Sequence, residues 1–411
     1  MSNSWTGGQY SVFRLLFGAY LFVHFSYLAF WAAELFSSEG MLSDASLSPL
    51  IHAFPNILAI IDHPGVVVGL SIISAVAALA FAVGYGDRIA ALIMWFALAC
   101  FLGRNPLITN PSLPYAGWML LAHLFIPTAP FGSVKAMGRA DPRGAWIFPP
   151  GIFLAAWLVL ALSYSYSGYT KLLSPSWVAG ENVQYVLTNP LARDWFLREI
   201  FMAVPPIFLT LLTWFILAVE ILFAPLALLG RLRPWLWSAM LFVQLGFALL
   251  LNFPDLTIAM LLFHLFTFDP AWLPARSLEG TNVFYDGNCA LCHGSIRFLL
   301  AEEPAGELHF AALQGDLFKR TLTDQERAGL SDTFVAVLPD GTVLTEAEGA
   351  IYLLDALGGV WRIIASAMKV FPRPARRWGY HFIGDRRYRI FGTKNDMCPL
   401  ASPEIRSRFL D

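Results

Sequence analysis

Long apolar runs separated by short Pro-, Gly- or Asn-containing connectors fill the first two-thirds of the chain, and short apolar runs alternating with charged stretches fill the last third. A helix needs roughly 20 apolar residues to cross the hydrocarbon core of a bilayer. On that length the pattern predicts spans at 12–35, 64–84, 88–104, 112–128, 149–169, 206–229 and 234–252, with a short eighth at 255–269. The fourth and eighth are brief enough to be re-entrant, so the expectation is about eight spans, with seven as the fallback. The first run, Val12 to Phe36, is too long for the apolar region of a signal peptide and has no small-residue cleavage site, so it reads as the first transmembrane helix.

The period changes after Thr281. Val283, Phe284 and Tyr285 read as a short buried strand, Asp286, Gly287 and Asn288 as a turn, and Ile296, Phe298, Leu299 and Leu300 as one face of a helix. Two further runs, Thr333 to Leu338 and Thr342 to Leu344, flank Pro339-Asp340-Gly341 and predict a hairpin. Glu348 to Leu357 predicts a helix ended by Gly358-Gly359. The predicted organisation is a transmembrane domain at 8–272, a linker at 273–280, an α/β domain at 281–399 and a tail at 400–411.

Composition strengthens the membrane reading. The chain of 411 residues is 57% hydrophobic and only 14% charged, with a mean hydropathy of +0.59. Soluble domains rarely look like this. A net charge of −2 gives no footprint for a nucleic-acid partner. Residues 1–280 hold 12 of the 27 Lys and Arg, against 15 in residues 281–411. With the N-terminus placed in the cytoplasm, that side receives Arg14, Arg88, Lys135, Arg139, Arg143, Arg231, Arg233 and Arg276. The other side receives Arg104, Lys171, Arg193 and Arg198. This bias and an eight-span count put the C-terminal domain in the cytoplasm, at the plasma (inner) membrane.

Cys289 and Cys292 fall at the junction between the predicted strand and helix, with Cys289 near the helix N-terminus. The helix dipole and free backbone N–H groups favour a thiolate there, and a free cysteine that titrates near ~8.5 can be brought to roughly 7 or lower. A Cys-x-x-Cys loop also lets the second sulfur reach back and close a disulfide. Half of a zinc site is the competing reading, but no second pair accompanies it, since Cys100 and Cys398 stand alone. Two inert structural cysteines are a third reading. His293 is either a source of charge for the thiolate or a helix-surface residue.

Tyr285-Asp286-Gly287-x-Cys289-x-x-Cys292, the helix after it, His309-Phe310-Ala311-Ala312-Leu313-Gln314-Gly315 and the tail Arg387-Tyr388-Arg389-Ile390-Phe391-Gly392 resemble the DCC family of thiol–disulfide oxidoreductases. The resemblance covers about residues 281–399 and takes in Asp286, Cys289 and Cys292. It implies a thioredoxin-like fold and dithiol/disulfide exchange with a protein or small-thiol substrate. On that reading Cys289 is the attacking thiolate and Cys292 the resolving thiol. Asp286 shapes the turn and accepts a proton.

Ionisable residues inside spans are costly and are functional candidates by default. Glu220 sits deep in 206–229, His24 lies mid-span in the first helix near Tyr20 and Tyr27, and Lys171 closes a Tyr/Ser-rich run; His123 and His264 are near span ends. Polar helix–helix contacts, or a snorkelling Lys171, are the alternatives. No spacing is that of a metal site. Tyr10-Ser11-Val12-Phe13-Arg14, Glu34-Leu35-Phe36 with Gly40-Met41-Leu42, and Ser167-Gly168-Tyr169-Thr170-Lys171-Leu172 with Trp177-Val178-Ala179-Gly180 look like the HTTM domain. That domain is similar to the transmembrane part of vitamin K-dependent γ-glutamyl carboxylase. The resemblance covers about residues 8–272. It implies that Lys171 matches the base acting on the hydroquinone, although the carboxylase pairs two lysines where this chain has Thr170-Lys171.

The expectation is therefore a polytopic α-helical membrane protein with a C-terminal α/β thioredoxin-like domain, acting in membrane-bound thiol–disulfide exchange. Lys171 and Glu220 would belong to a separate site for a lipid or quinone, and His24 is a further membrane-domain candidate. No cofactor is dictated by the residues themselves; a quinone enters through the resemblance. The alternative is a carboxylase-like enzyme or lipid-binding module whose cysteine domain is a redox sensor or anchor.

Overall fold

The computed structural model describes residues 5–108, 110–303, 305–328, 330, 334–392 and 403–410. Thr333, Cys398 and the rest of 393–402 lie outside the described residues. The chain divides into two compact units. The first is built from Phe13–Ile126 and Pro149–Phe268, the second from Ser2–Val12, Pro127–Phe148 and Asp269–Asp411.

The helices of the first unit are α1 (Gly7–Phe36, whose first residues belong to the second unit), α2 (Pro64–Val83), α3 (Asp87–Arg104), α4 (Leu113–His123) and α5 (Pro150–Lys171). Three short helices follow, α6 (Pro175–Val178), α7 (Asn182–Thr188) and α8 (Phe196–Ala203), and then α9 (Pro206–Ala227), α10 (Arg233–Leu250) and α11 (Pro254–Thr267). Proline opens α2, α5 and α9 where its missing N–H costs nothing, and Gly84, with φ +72°, closes α2.

Five of these helices, α1, α2, α5, α9 and α10, are long and apolar enough to cross a membrane. The expected count of eight is not reached by length and composition among the described residues. The third predicted span is α3, which carries Asp87, Arg88 and Arg104. The fourth shrinks to the 11 residues of α4, and the eighth to the 14 of α11. At 1.5 Å per residue α11 is about 21 Å long, short of the roughly 30 Å hydrocarbon core.

The loop-charge count is weakened as well. Arg14 is fully buried and lies 4.0 Å from Asp87, which also faces His123 at 3.5 Å. Arg104 is also fully buried, and its guanidinium pairs with Asp62 at 3.0 Å and donates to the Leu42 carbonyl. These arginines are internal struts with carboxylate partners rather than exposed loop charges. His264 likewise meets Tyr164 Oη at 2.7 Å, a polar helix–helix contact.

In the second unit, β1 (Asn282–Tyr285), α12 (Ala290–Glu302), β2 (His309–Ala312), α13 (Asp316–Thr321), α14 (Asp324–Arg327), β3 (Val335–Val337) and β4 (Val343–Thr345) follow in order. They lead to α15 (Glu346–Leu357), α16 (Gly359–Val370), α17 (Arg373–Gly384), α18 (Arg387–Phe391) and α19 (Pro403–Arg406). The sheet runs β2-β1-β3-β4, with β1 parallel to β2 and antiparallel to β3, and β3 antiparallel to β4.

Side chains alternate across β1. Val283 and Tyr285 join one apolar cluster with Ile296, Leu299 and Phe310, while Phe284 joins Phe318 and Val335 in a second. The sheet is thus covered on both faces. The far end of α12 is pinned by the buried Glu302 carboxylate, which accepts from Gly8 N–H at 2.8 Å, Trp361 Nε1 at 2.7 Å and the Thr6 hydroxyl. Burial pushes this carboxyl above its ordinary range against those donors and the Arg143 charge.

Candidate redox site

β1 ends at Tyr285, and Asp286 starts the turn that carries the chain onto α12. Its Oδ1 accepts from Asn288 N–H at 3.0 Å, an Asx-type closure that shapes the turn. Cys289 is the N-cap of α12: its backbone is extended (φ −97°, ψ 119°), and its Sγ accepts the Cys292 N–H at 3.4 Å. The first sulfur therefore sits where backbone donors and the positive end of the helix converge. Both cysteines are free thiols.

The two sulfurs differ in access. Cys289 has 0% exposed surface, whereas Cys292 is partly exposed and borders a cavity of about 280 Å³. Leu291, Phe298, Phe334, Leu353 and Ile383 give that cavity apolar walls, and Asp286 and Arg387 stand at its polar edge. The expectation that Cys289 meets the substrate thus finds it covered; Ala290 N–H bonds the Gly392 carbonyl just past α18. Burial, then the hydrogen bond to Cys289 and its charge, push the Cys292 thiol up to about 12.

A consequence is testable by alkylation. Only the thiolate reacts, so labelling of Cys292 in the reduced protein should keep rising about tenfold per pH unit through pH 10. A plateau near 8.5 in a mass-spectrometric pH series would contradict the protonated state.

Asp286 is buried. Desolvation raises its carboxyl, but donors outweigh it: Tyr388 Oη, Asn288 N–H, Gln314 Nε2 at 3.3 Å, and the Arg387 charge at 3.6 Å. The net shift is downward, so Asp286 is an anion near neutral pH. Arg387 is held protonated: burial opposes this, but Tyr388 and the charges of both cysteines prevail.

His293 is buried, not on the helix surface; its Nε2 lies 2.7 Å from the Gly287 carbonyl and so carries the proton, which makes it a brace for the turn. Among the described residues no group of three or more His, Cys, Asp or Glu could hold a metal.

Sequence reasoning missed Gln314, Arg387 and Tyr388 as members of the site. All three lie in segments carrying the family resemblance, yet 22 or more residues from the cysteines, and Arg387 is one charge in a basic stretch from Lys369 to Lys394 that reads as a solvated face. Much of that stretch is paired: Arg376 with Glu348 at 3.2 Å, Lys369 with Asp355 at 3.3 Å.

The three membrane candidates do not form one site. Lys171 and Glu220 meet each other at 2.5 Å, and Lys171 Nζ lies 4.4 Å over the Trp177 ring. Gly168, one turn before Lys171, lets α5 approach α9: a Cβ there would come within 2.6 Å of the Ile221 nitrogen. His24 pairs instead with Asp255, 2.9 Å away at the start of α11. Asp255 was overlooked because it begins a run too short to weigh as a span.

The strand–turn–helix with an N-cap cysteine and a second thiol three residues on defines a dithiol site. Residues 283–393 match the DCC1-like thiol-disulfide oxidoreductase family. The chain is 37% identical over 142 residues, 34% of its length, to the uncharacterized protein YuxK of Bacillus subtilis (strain 168), and covers 99% of that protein. It is 24% identical over 118 residues, 29% of its length, to a chloroplastic DCC family protein of Arabidopsis thaliana, and covers 68% of it. Through this domain the chain belongs to the DCC1-like thiol-disulfide oxidoreductase family. No solved structure matches it. No comparison supports the resemblance of residues 8–272 to the HTTM domain.

Proposed function

We propose that the chain is a membrane-bound thiol–disulfide oxidoreductase in which Cys289 and Cys292 exchange with a thiol or disulfide of a protein or small-thiol substrate. The observation that carries the reading is the Cys289 sulfur capping α12 through the Cys292 N–H. A thioredoxin-like fold accords with the β2-β1-β3-β4 order in which only β3 is antiparallel to the rest.

We assign the roles by access, in the reverse of the sequence expectation. A substrate thiolate attacks Cys292 Sγ of the Cys289–Cys292 disulfide; the S–S bond breaks, and its electron pair leaves on Cys289, at the helix N-terminus and in the field of Arg387. A second substrate thiolate then attacks the substrate sulfur of the mixed disulfide and releases Cys292, which takes up a proton. Two electrons pass from the substrate to the protein. Asp286 positions Arg387 and the turn. A lipid or quinone in the membrane unit completes the reading: a quinone would take two electrons and two protons from the dithiol and become a hydroquinone.

The test is a redox titration of the full chain in nanodiscs against glutathione buffers, read by thiol labelling. A reversible 289–292 disulfide, lost when both cysteines are serine, is expected. Thiols that stay reduced across the whole range would refute the exchange activity.

A further inference from the structure

The first unit contains a cavity of about 840 Å³ between α1, α3, α4 and α11. That volume is well inside the range of ligand sites, and the walls are overwhelmingly apolar, with Trp31, Trp95, Trp118 and Phe36 among them. The exception is one corner, where Tyr20, His24 and Asp255 converge. Asp255 Oδ1 accepts from Tyr20 Oη at 2.8 Å and faces His24 Nδ1 at 2.9 Å, while Oδ2 accepts from Asn110 Nδ2 at 2.6 Å.

A carboxylate with three donors is an acceptor only, so His24 Nδ1 carries a proton and donates it to Asp255. In that tautomer Nε2 is an acceptor, and His24 lines the cavity. Val23 and Tyr27 also line it and are 64% and 67% exposed on α1, a helix apolar enough to cross a membrane. A cavity walled by such residues is reached from the lipid phase. In that phase a lone acceptor on an Asp–His pair is a costly feature without a ligand to use it.

The geometry points to this cavity as the binding site for an apolar lipid whose head is a hydroxyl group, donated to His24 Nε2, with its body among the aromatic walls. The shared chemistry is one O–H donor on an apolar body; a prenyl alcohol and an alkylated hydroquinone both have it. The inference deepens the lipid-or-quinone part of the proposed function and rests on that part, not on the dithiol. It also moves the ligand site away from Lys171 and Glu220, which lie outside the cavity lining.

The experiment measures binding of farnesol and of decylhydroquinone to the full chain in nanodiscs, under nitrogen. Farnesyl methyl ether and decylquinone, which lack the O–H, are the controls. At least one hydroxyl probe should bind tenfold or more tighter than its control; which one binds names the source. His24→Phe keeps the ring volume but removes the acceptor, and should weaken that probe at least tenfold. Gly117→Leu leaves the corner intact and fills the cavity: a Cβ there meets only Trp95, at 3.8 Å. It should weaken binding as much. A protein with Cys289→Ser and Cys292→Ser should bind as the parent does, which separates this test from that of thiol exchange. Controls that bind as tightly as the hydroxyl probes, or binding that survives Gly117→Leu, would overturn the site.

Discussion

Replacing Cys289 with serine should make the protein accumulate a mixed disulfide with a disulfide substrate, at ten times or more the level found with Cys292→Ser: the Cys292 thiolate attacks the substrate disulfide and displaces one substrate thiolate. Cys292 borders the cavity, so it is the sulfur an incoming substrate disulfide can reach, and Cys289 has no exposed surface. Without Cys289 the bond to Cys292 has no neighbouring thiol to resolve it. The same substitution removes the hydrogen bond and charge that hold Cys292 protonated, so trapping should also be faster near neutral pH. Without Cys292, the remaining sulfur stays beneath its cover. Non-reducing electrophoresis of membranes, followed by mass spectrometry of the 289–302 peptide, reads both variants. Trapping by Cys292→Ser at the level of Cys289→Ser or above would return the substrate-facing role to Cys289.

Lys171→Ala should destabilise the membrane unit by about 3–5 kcal/mol, the usual cost of leaving one partner of a buried ion pair alone. Glu220 is 4% exposed and Lys171 21%, and the ammonium meets both carboxylate oxygens. The pair joins the end of α5 to the middle of α9. Lys171→Met with Glu220→Leu removes both charges and should recover most of the loss, because well-packed apolar side chains replace such pairs at little net cost. Thermal unfolding in one detergent, compared across parent, single and double variants, measures it. A single variant as stable as the parent would mean that Lys171 snorkels to water and that the pair carries no weight.

Local signals were legible in the sequence where they are local in space. The strand at 283–285, the Asp286 turn, the helix at Cys289 and the stop at Gly358 all follow from side-chain period and turn chemistry within a few residues. The ends of α4 and α11 were not. Hydropathy alone carries a predicted span through Leu124–Thr128 or Phe268, although the backbone has already left the helix. Nor could the sequence show that Arg387 and Tyr388 turn back onto Asp286, about a hundred residues earlier. His24 was found as an ionisable residue in a span, but its partner lies 231 positions away, and only the fold brings the two to 2.9 Å.

The second unit gathers three pieces of chain, Ser2–Val12, Pro127–Phe148 and Asp269–Asp411, and the two gaps between them hold the membrane helices. A single compact body cannot be assembled from pieces on opposite faces of a bilayer. If these helices cross a bilayer, the chain crosses an even number of times between Val12 and Pro127, and again between Phe148 and Asp269. The two long spans of the first gap, α1 and α2, meet that parity, but the three of the second, α5, α9 and α10, do not. The shorter apolar helix there is α11, so under that parity the 14-residue Pro254–Thr267 segment would have to cross as well. Chain order also bears on when the dithiol site can form during synthesis: its helix is anchored to Gly8, but it is made only after all the long apolar helices.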